Sequence, residues 1–158
     1  MATPKSLLIK YKKNTFVPTG TSDLLVESVN KKLKLKGDVL DLGAGSGYVG
    51  LKLLNLFKDE FNLFASDIGK SSVQTIKSNA LINKKKIIAK IGSLFKPWKN
   101  HKFNFIINDV SGISEDIAKI SPWFKNVSCK SGKDGTKLTI QIIKKSKKFL
   151  DKKGIICF

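Results

Sequence analysis

The sequence predicts an α/β protein built on a doubly wound, mostly parallel sheet. Three observations predict it. Short apolar runs alternate with segments whose apolar residues recur every three or four positions. Every pair of runs is separated by enough chain for a crossover helix, which makes neighbouring strands parallel and the crossovers right-handed. A glycine-rich turn follows the first apolar run, where such sheets bind ligands.

The elements follow in order. A first helix, about Thr21 to Leu35, carries Leu25, Val29 and Leu33 on one face. Strands are predicted at about Asp38 to Leu42, Asn62 to Ser66, Ile87 to Ile91, Phe103 to Asn108 and Gly154 to Phe158. Between them lie helices at Ser46 to Phe57, with Val49, Leu53, Leu56 and Phe57 apolar, and at Lys70 to Ile82, where Val73, Ile76 and Ala80 share a face. Two more run from Ile113 to Ile120 and from about Asp134 to Leu150, the last repeating Leu138, Ile142 and Phe149. A chain of 158 residues, 41% hydrophobic, suits one globular domain. Residues 1–36 form an N-terminal segment and helix covering the glycine turn, and 37–158 form the core with which that segment makes a single domain. There is no internal repeat and no low-complexity linker.

No apolar run approaches the roughly 20 residues that span a bilayer, and the start, "MATPKSLLIKYKK", lacks a signal-peptide core. The chain is therefore expected in the cytoplasm, away from membranes. Cys129 and Cys157 form no paired motif and give neither a disulfide framework nor a zinc site. The formal charge of +18 attracts polyanions such as RNA, yet all 30 basic residues are lysine. Without arginine, the planar fork that usually reads phosphates and guanine edges is absent, so part of the charge reflects composition bias. The runs Lys84 to Lys86 and Lys144 to Lys148 read as solvated faces.

The stretch "VLDLGAGSGYVGL", Val39 to Leu51, carries the chemistry. Gly43, Gly45 and Gly47 let the backbone turn tightly and bring its N–H groups to an anionic ligand at a helix start. Gly45, Gly47 and Gly50 also satisfy the dinucleotide spacing G-x-G-x-x-G, with Asp67 at the interval of a ribose-binding acid, so the glycines alone do not choose the ligand. Asp41 does. A carboxylate two residues before the first glycine repels a pyrophosphate and suits a ligand with a cationic amino group, such as S-adenosylmethionine. "FNFIINDVSG" then ends the fourth strand in Asn108 and Asp109, beside the same cleft.

"VLDLGAGSGYVGL", "FASDIGKSSVQTIKSNALIN", "IGSLFKPW" and "FNFIINDVSG", in that order, resemble the class I methyltransferases of the small-domain type, which have a Rossmann-like fold. These are related to the release-factor glutamine methyltransferases and to enzymes methylating exocyclic amines of ribosomal RNA. Upstream, "FVPTGTSDLLVESV" resembles the family's lid-like segment and helix, and the C-terminal "GKDGTKLTIQIIKKSKKFLDKKGIICF" resembles its last helix and fifth strand. The resemblance implies an S-adenosyl-L-methionine-dependent transferase performing N-methylation of a macromolecule, RNA or protein, with no metal. It implies that Gly43, Ala44, Gly45 and Gly47 cradle the methionine part, with Asp41 at its amino group. Asp67 would hold the ribose hydroxyls, next to Ile68. Ser93 and Leu94 would lie against the adenine, Ser93 replacing the family's usual aspartate. Asn108 would place its side-chain carbonyl at the methyl acceptor.

The family's N-P-P-[YF] tetrapeptide reads Asn108-Asp109-Val110-Ser111 here, without the prolines or the aromatic ring. Asp109 offers instead a carboxylate that accepts a proton from the nucleophile, or a cap for the helix starting near Gly112. His101, the only histidine, falls in a surface turn without a catalytic role. Trp98 and Trp123 either flank a substrate cleft or pack at its rim. Two other readings stand beside methyl transfer: a non-catalytic nucleic-acid-binding module on the same fold, favoured by the lysines, and an NAD-dependent oxidoreductase, favoured by the second glycine spacing. Related enzymes add a sixth and seventh strand, whereas this sequence stops inside "GIICF", as a fragment or a shortened fold does. The fifth strand is then an apolar edge open to self-association, unless Lys5 to Phe16 folds back over it.

Overall fold

The computed structural model describes residues 6–12, 15–110, 112–124, 127, 129 and 131–158. In chain order its elements are α1 (Gly20–Lys32), β1 (Gly37–Leu42), α2 (Tyr48–Leu56), β2 (Phe61–Asp67), α3 (Lys70–Ile82), β3 (Ile88–Ile91), β4 (Phe103–Asn108), α4 (Glu115–Ile120), α5 (Lys137–Ser146) and β5 (Leu150–Cys157). The strands form one sheet in the order β3-β2-β1-β4-β5, and each neighbouring pair is parallel. This is the Rossmann-like doubly wound arrangement. Among the described residues no helix is long and apolar enough to cross a membrane.

The central strand shows why both faces are covered. Val39 joins a core with Leu25, Val26 and Val29 of α1 and Val49, Leu53 and Leu54 of α2. The next residue, Leu40, and Leu42 point into a second core with Phe64, Phe103, Ile106 and Ile142 of α5. Side chains alternate across a strand, so a strand buried on both faces reads as an unbroken apolar run. Asp41 interrupts that run on the α2 face.

The structure corrects several boundaries. The predicted last helix, Asp134 to Leu150, spans only Lys137–Ser146, and the fifth strand starts at Leu150 rather than Gly154. Phe149 stacks on Phe95 at 4.6 Å, and its carbonyl accepts the N–H of Phe103 at 2.8 Å, which pulls the chain into the sheet early. The exposed Asp151, Lys152 and Lys153 hide that start from any apolar pattern. The helix expected from Ile113 begins at Glu115, because Ser114 Oγ accepts the N–H of Ile117 at 3.3 Å. Asp109 therefore does not cap it.

His101 is more than a surface turn. It is half-buried, its Nε2 lies 2.8 Å from Asp38 Oδ2, and its ring packs 4.5 Å from both Phe64 and Phe103. Asp38 lies at the start of β1, so this cluster sits at the end of the sheet opposite the glycine turn. Trp98, 2% exposed, belongs to the second core, whereas Trp123 is exposed.

The described part of the N-terminal segment lies along α3, not over β5. Leu8 N–H donates to Asn83 Oδ1 at 2.9 Å while Asn83 Nδ2 donates to Leu8 O at 2.7 Å. Lys10 and Asn79 repeat the exchange at 3.0 and 2.9 Å. The match is geometric: one helical turn of four residues rises about 6 Å, close to the ~6.6 Å of two extended residues. Asn79 is fully buried and also donates to Ser46 O at 2.9 Å, tying this strap to the glycine turn. Removing it orphans a buried carbonyl, so Asn79→Ala should destabilise the fold by about 1–3 kcal/mol in urea denaturation, and Asn83→Ala, nearer solvent, by less. Equal, negligible effects would show that the strap contributes nothing.

Candidate active site

The turn after β1 holds three glycines in the left-handed region, Gly43 at φ 71°, Gly45 at 54° and Gly47 at 79°. Such angles strain any residue with a Cβ. Ser66 O of β2 accepts the N–H of Gly43 at 2.8 Å and of Ala44 at 3.0 Å, anchoring the turn. A side chain on Gly43 would collide with Val110 Cγ2 at 2.4 Å, whereas one on Gly45 would meet nothing within 4 Å. Gly43 is thus roofed by the residue that replaces a family proline, and Gly45 faces open space. Left-handed Gly47 also delays α2 to Tyr48, two residues after the predicted start.

Asp41, at the carboxyl end of β1, is 2% exposed, and its Oδ2 accepts the N–H of Gly50 at 2.9 Å. Gly50 can approach because it lacks a Cβ, which would lie 2.8 Å from that oxygen and 2.9 Å from Leu63 Cδ1. Burial pushes the Asp41 carboxyl up to about 7, against the pull of the Gly50 N–H, and Asp109 and Asp67 raise it further. Asp67, at the end of β2, accepts Gly45 N–H with Oδ2 at 2.9 Å and Gly69 N–H with Oδ1 at 2.8 Å. A carboxylate has about four acceptor sites, so Asp67, half-buried, keeps capacity for further donors.

Asn108 ends β4 beside Leu42 of β1. It is 4% exposed, and its Oδ1 is buried with no hydrogen-bond partner among the described residues. Asp109 follows, its Oδ2 accepting from Ser22 Oγ of α1 at 2.5 Å; burial pushes its carboxyl up and the Ser22 hydroxyl opposes this. Ser111 of the tetrapeptide lies outside the described residues. Past β3, Ser93 and Leu94 are half-buried, and Leu94 O accepts from Ser66 Oγ at 3.5 Å. Ile68 is 61% exposed.

The strand ends thus gather Asp41, Asp67, Asn108 and Asp109 around the glycine turn, with Ser93 and Leu94 after the neighbouring β3. Two contributors are invisible to sequence reasoning. Ser22 meets Asp109 only because α1 packs back over the sheet, and Asp23 of α1 joins Tyr48 and Lys52 of α2, with Lys52 Nζ 2.6 Å from its Oδ1. Gly50 carries a signal, the third glycine of the spacing, whose use here is close helix packing.

This architecture has known counterparts. Residues 17–109 match the profile described as "Methyltransferase small domain". A release factor glutamine methyltransferase of Thermodesulfovibrio yellowstonii is 30% identical over 161 residues, covering 96% of this chain and 57% of that protein. A ribosomal RNA small subunit methyltransferase C of Actinobacillus pleuropneumoniae is 42% identical over 66 residues, 39% of this chain and 20% of that one. Among solved structures, the ribosomal protein L11 methylase of Lactobacillus delbrueckii subsp. bulgaricus superposes with a TM-score of 0.65 at 18% identity, over 94% of this chain and 64% of its own. A 16S rRNA N2 methyltransferase of T. thermophilus, solved with AdoMet and guanosine, gives 0.64 at 19% identity over 89% and 34%. The chain spans about half the length of the release factor enzymes it matches, 57% and 55% for two of them. With a matching profile over more than half its residues, the chain belongs to the methyltransferase small domain family.

Proposed function

We propose that this chain is the methyl-transferring domain of an S-adenosylmethionine-dependent enzyme that N-methylates a macromolecule, RNA or protein. The observation that carries the reading is the gathering of Asp41, Asp67 and Asp109 at neighbouring strand ends of a protein with a formal charge of +18. Three carboxylates close enough to raise a pKa disfavour a pyrophosphate and favour a ligand with a cationic amino group and a sulfonium. Membership of the family sets aside the nicotinamide reading.

The residues present fit the cofactor. Gly45, open above, leaves room at the turn for its methionine part, beside Gly43, Ala44 and Gly47. Asp41 lies beneath, where an ammonium offsets its burial. Asp67 has acceptor capacity for the ribose hydroxyls, and Ile68, Ser93 and Leu94 flank the adenine end. When bound, the cofactor supplies an activated methyl group, so the protein contributes mainly proximity and alignment. The unpartnered Asn108 Oδ1 accepts an N–H of the incoming amine and orients its lone pair. Asp109, raised by burial and steadied by Ser22, is placed to take the proton the amine loses. Val110 fills the space over Gly43 without providing an aromatic platform, so the acceptor is held differently from one stacked on a ring.

Residues 1–36 belong to the same domain in this reading, since α1 contributes to the first core and Ser22 to the site. The cytoplasm is the compartment that fits the two free cysteines. The altered tetrapeptide and the lysines favour the second reading, a nucleic-acid-binding module that no longer turns over.

S-adenosylhomocysteine should raise the melting midpoint: at about 100 times its Kd a ligand adds ~2.7 kcal/mol, a shift of roughly 5–10 °C for a domain of this size. NAD should not. Asp67→Ala should weaken S-adenosylhomocysteine binding by about ten-fold or more in calorimetry, since hydrogen bonds to a carboxylate are worth ~1.5–3 kcal/mol each. A midpoint raised by NAD alone, or an unchanged affinity in the variant, contradicts the assignment.

β5 lies at the edge of the sheet, with Ile155 41% exposed. Self-association through this edge belongs to the same reading. The positive charge opposes it, so light scattering should show association strengthening with salt; a monomer at high salt and high concentration contradicts it.

A further inference from the structure

From Ile68 to Asn108 the chain carries nine lysines and no aspartate or glutamate. Of these lysines only Lys85 forms an ion pair among the described residues, with Asp59 at 2.8 Å. Three of the rest cluster. Lys90, at the free edge of the sheet on β3, and Lys96 and Lys99, around the turn 96–98, line a depression of about 340 Å³. Lys96 and Lys99 also line a second depression, about 460 Å³, together with Lys145 of α5. The two depressions therefore adjoin and share two lysines, and no carboxylate lines either.

Two further features give this surface chemistry beyond charge. Trp98 lines the first depression, and Lys90 Nζ stands 4.5 Å from the centre of its indole ring. In the second depression the lining residue Phe149 is half-buried and stacked at 8° on Phe95. Ser93 and Leu94, at the adenine end of the cofactor site, line the same depression, which connects the surface to that site.

We infer that the lysine-lined surface of β3, the turn 96–98 and α5 is a track for the phosphate backbone of a single-stranded nucleic acid. Lys90, Lys96, Lys99 and Lys145 are its phosphate contacts and Phe149 is its stacking platform. A positively charged groove with an aromatic face binds single strands without needing base readout, which suits a protein with lysine and no arginine. The lysines of the two linings, with no carboxylate among the residues that line them, fit a polyanion rather than a protein surface of mixed charge. The link to methyl transfer rests on the cofactor reading above: the second depression reaches Ser93 and Leu94 at the adenine end, so a nucleic acid bound there lies beside the cofactor, which favours RNA as the substrate class.

The test is fluorescence anisotropy of a labelled oligouridylate of about 20 nucleotides, titrated with the full chain over a salt series. One variant carries Lys90→Gln, Lys96→Gln, Lys99→Gln and Lys145→Gln; a control removes the same charge through Lys32→Gln, Lys34→Gln, Lys36→Gln and Lys58→Gln. All eight side chains are exposed, and thermal melts establish that both variants fold. The track variant should bind at least about ten-fold more weakly at low salt, and its salt slope should fall by roughly 0.7 per lysine, close to 3 for the set. The control should keep nearly the parental slope. Equal losses in the two variants would overturn the inference, because the charge would then act without a track. So would oligoglutamate of equal charge competing as well as RNA. Calorimetry with S-adenosylhomocysteine, run on the same proteins, separates this outcome from failure of the cofactor reading: the track variant should bind it with unchanged affinity.

Discussion

The contact on which the rest of the site depends is the one between Asp41 and Gly50. A carboxylate at the end of the central strand reaches into the first turn of α2 and takes a backbone N–H at 2.9 Å, and only a residue without a Cβ allows the helix so close. That approach sets the path of the glycine turn between strand and helix. Ser66 and Asp67 hold the turn from β2, and Asn79 holds it from α3. Burying this carboxyl has an energetic cost, which the Gly50 N–H offsets in part. A native pKa of about 7 lies above the ordinary carboxyl value near 4. The stability from neutral Asp41 is therefore complete below about pH 4 and is lost as pH rises through about 7. Near neutrality Asp41 is about half ionised, and its charged form has the Gly50 N–H as partner until a cation arrives.

Charge is separated across the molecule. The net charge is strongly positive, yet Asp41, Asp67 and Asp109 gather at the carboxyl ends of β1, β2 and β4. Under the proposed function and the proposed track, the aspartates would attract the cationic cofactor and the lysines beside Ser93 and Leu94 the polyanion. The strap of Leu8 and Lys10 on α3 is joined to the glycine turn through Asn79, and Ser22 of α1 bonds Asp109 at the end of β4.

Much of this is legible in the sequence, and the exceptions share a cause. Strand and helix order, the parallel sheet and the position of the glycine turn follow from periodicity, because β1, β2 and β4 are buried on both faces and read as apolar runs. Asp41 and Asn108 stand out as polar residues ending such runs. β5 is misplaced by four residues because its first half is an exposed lysine-rich edge with no apolar pattern. His101 and Trp98 look like turn residues locally, yet their rings are claimed by Phe64 and Phe103 from two other strands. Ser22 and Asn79 leave no sequence signal at all, since their partners lie 87 and 69 residues away and only the folded chain unites them.

The central claim is that buried Asp41 selects a cationic ligand, and proton linkage tests it most directly. Calorimetric titration with S-adenosylhomocysteine at about pH 6, below the Asp41 pKa, in two buffers of different ionisation enthalpy counts the protons exchanged on binding. An ammonium near Asp41 favours its charged form, so the account predicts a net release of up to about one proton per site. That release should vanish in Asp41→Asn. Binding without proton release in the parent protein, or with undiminished release in the variant, would contradict the account.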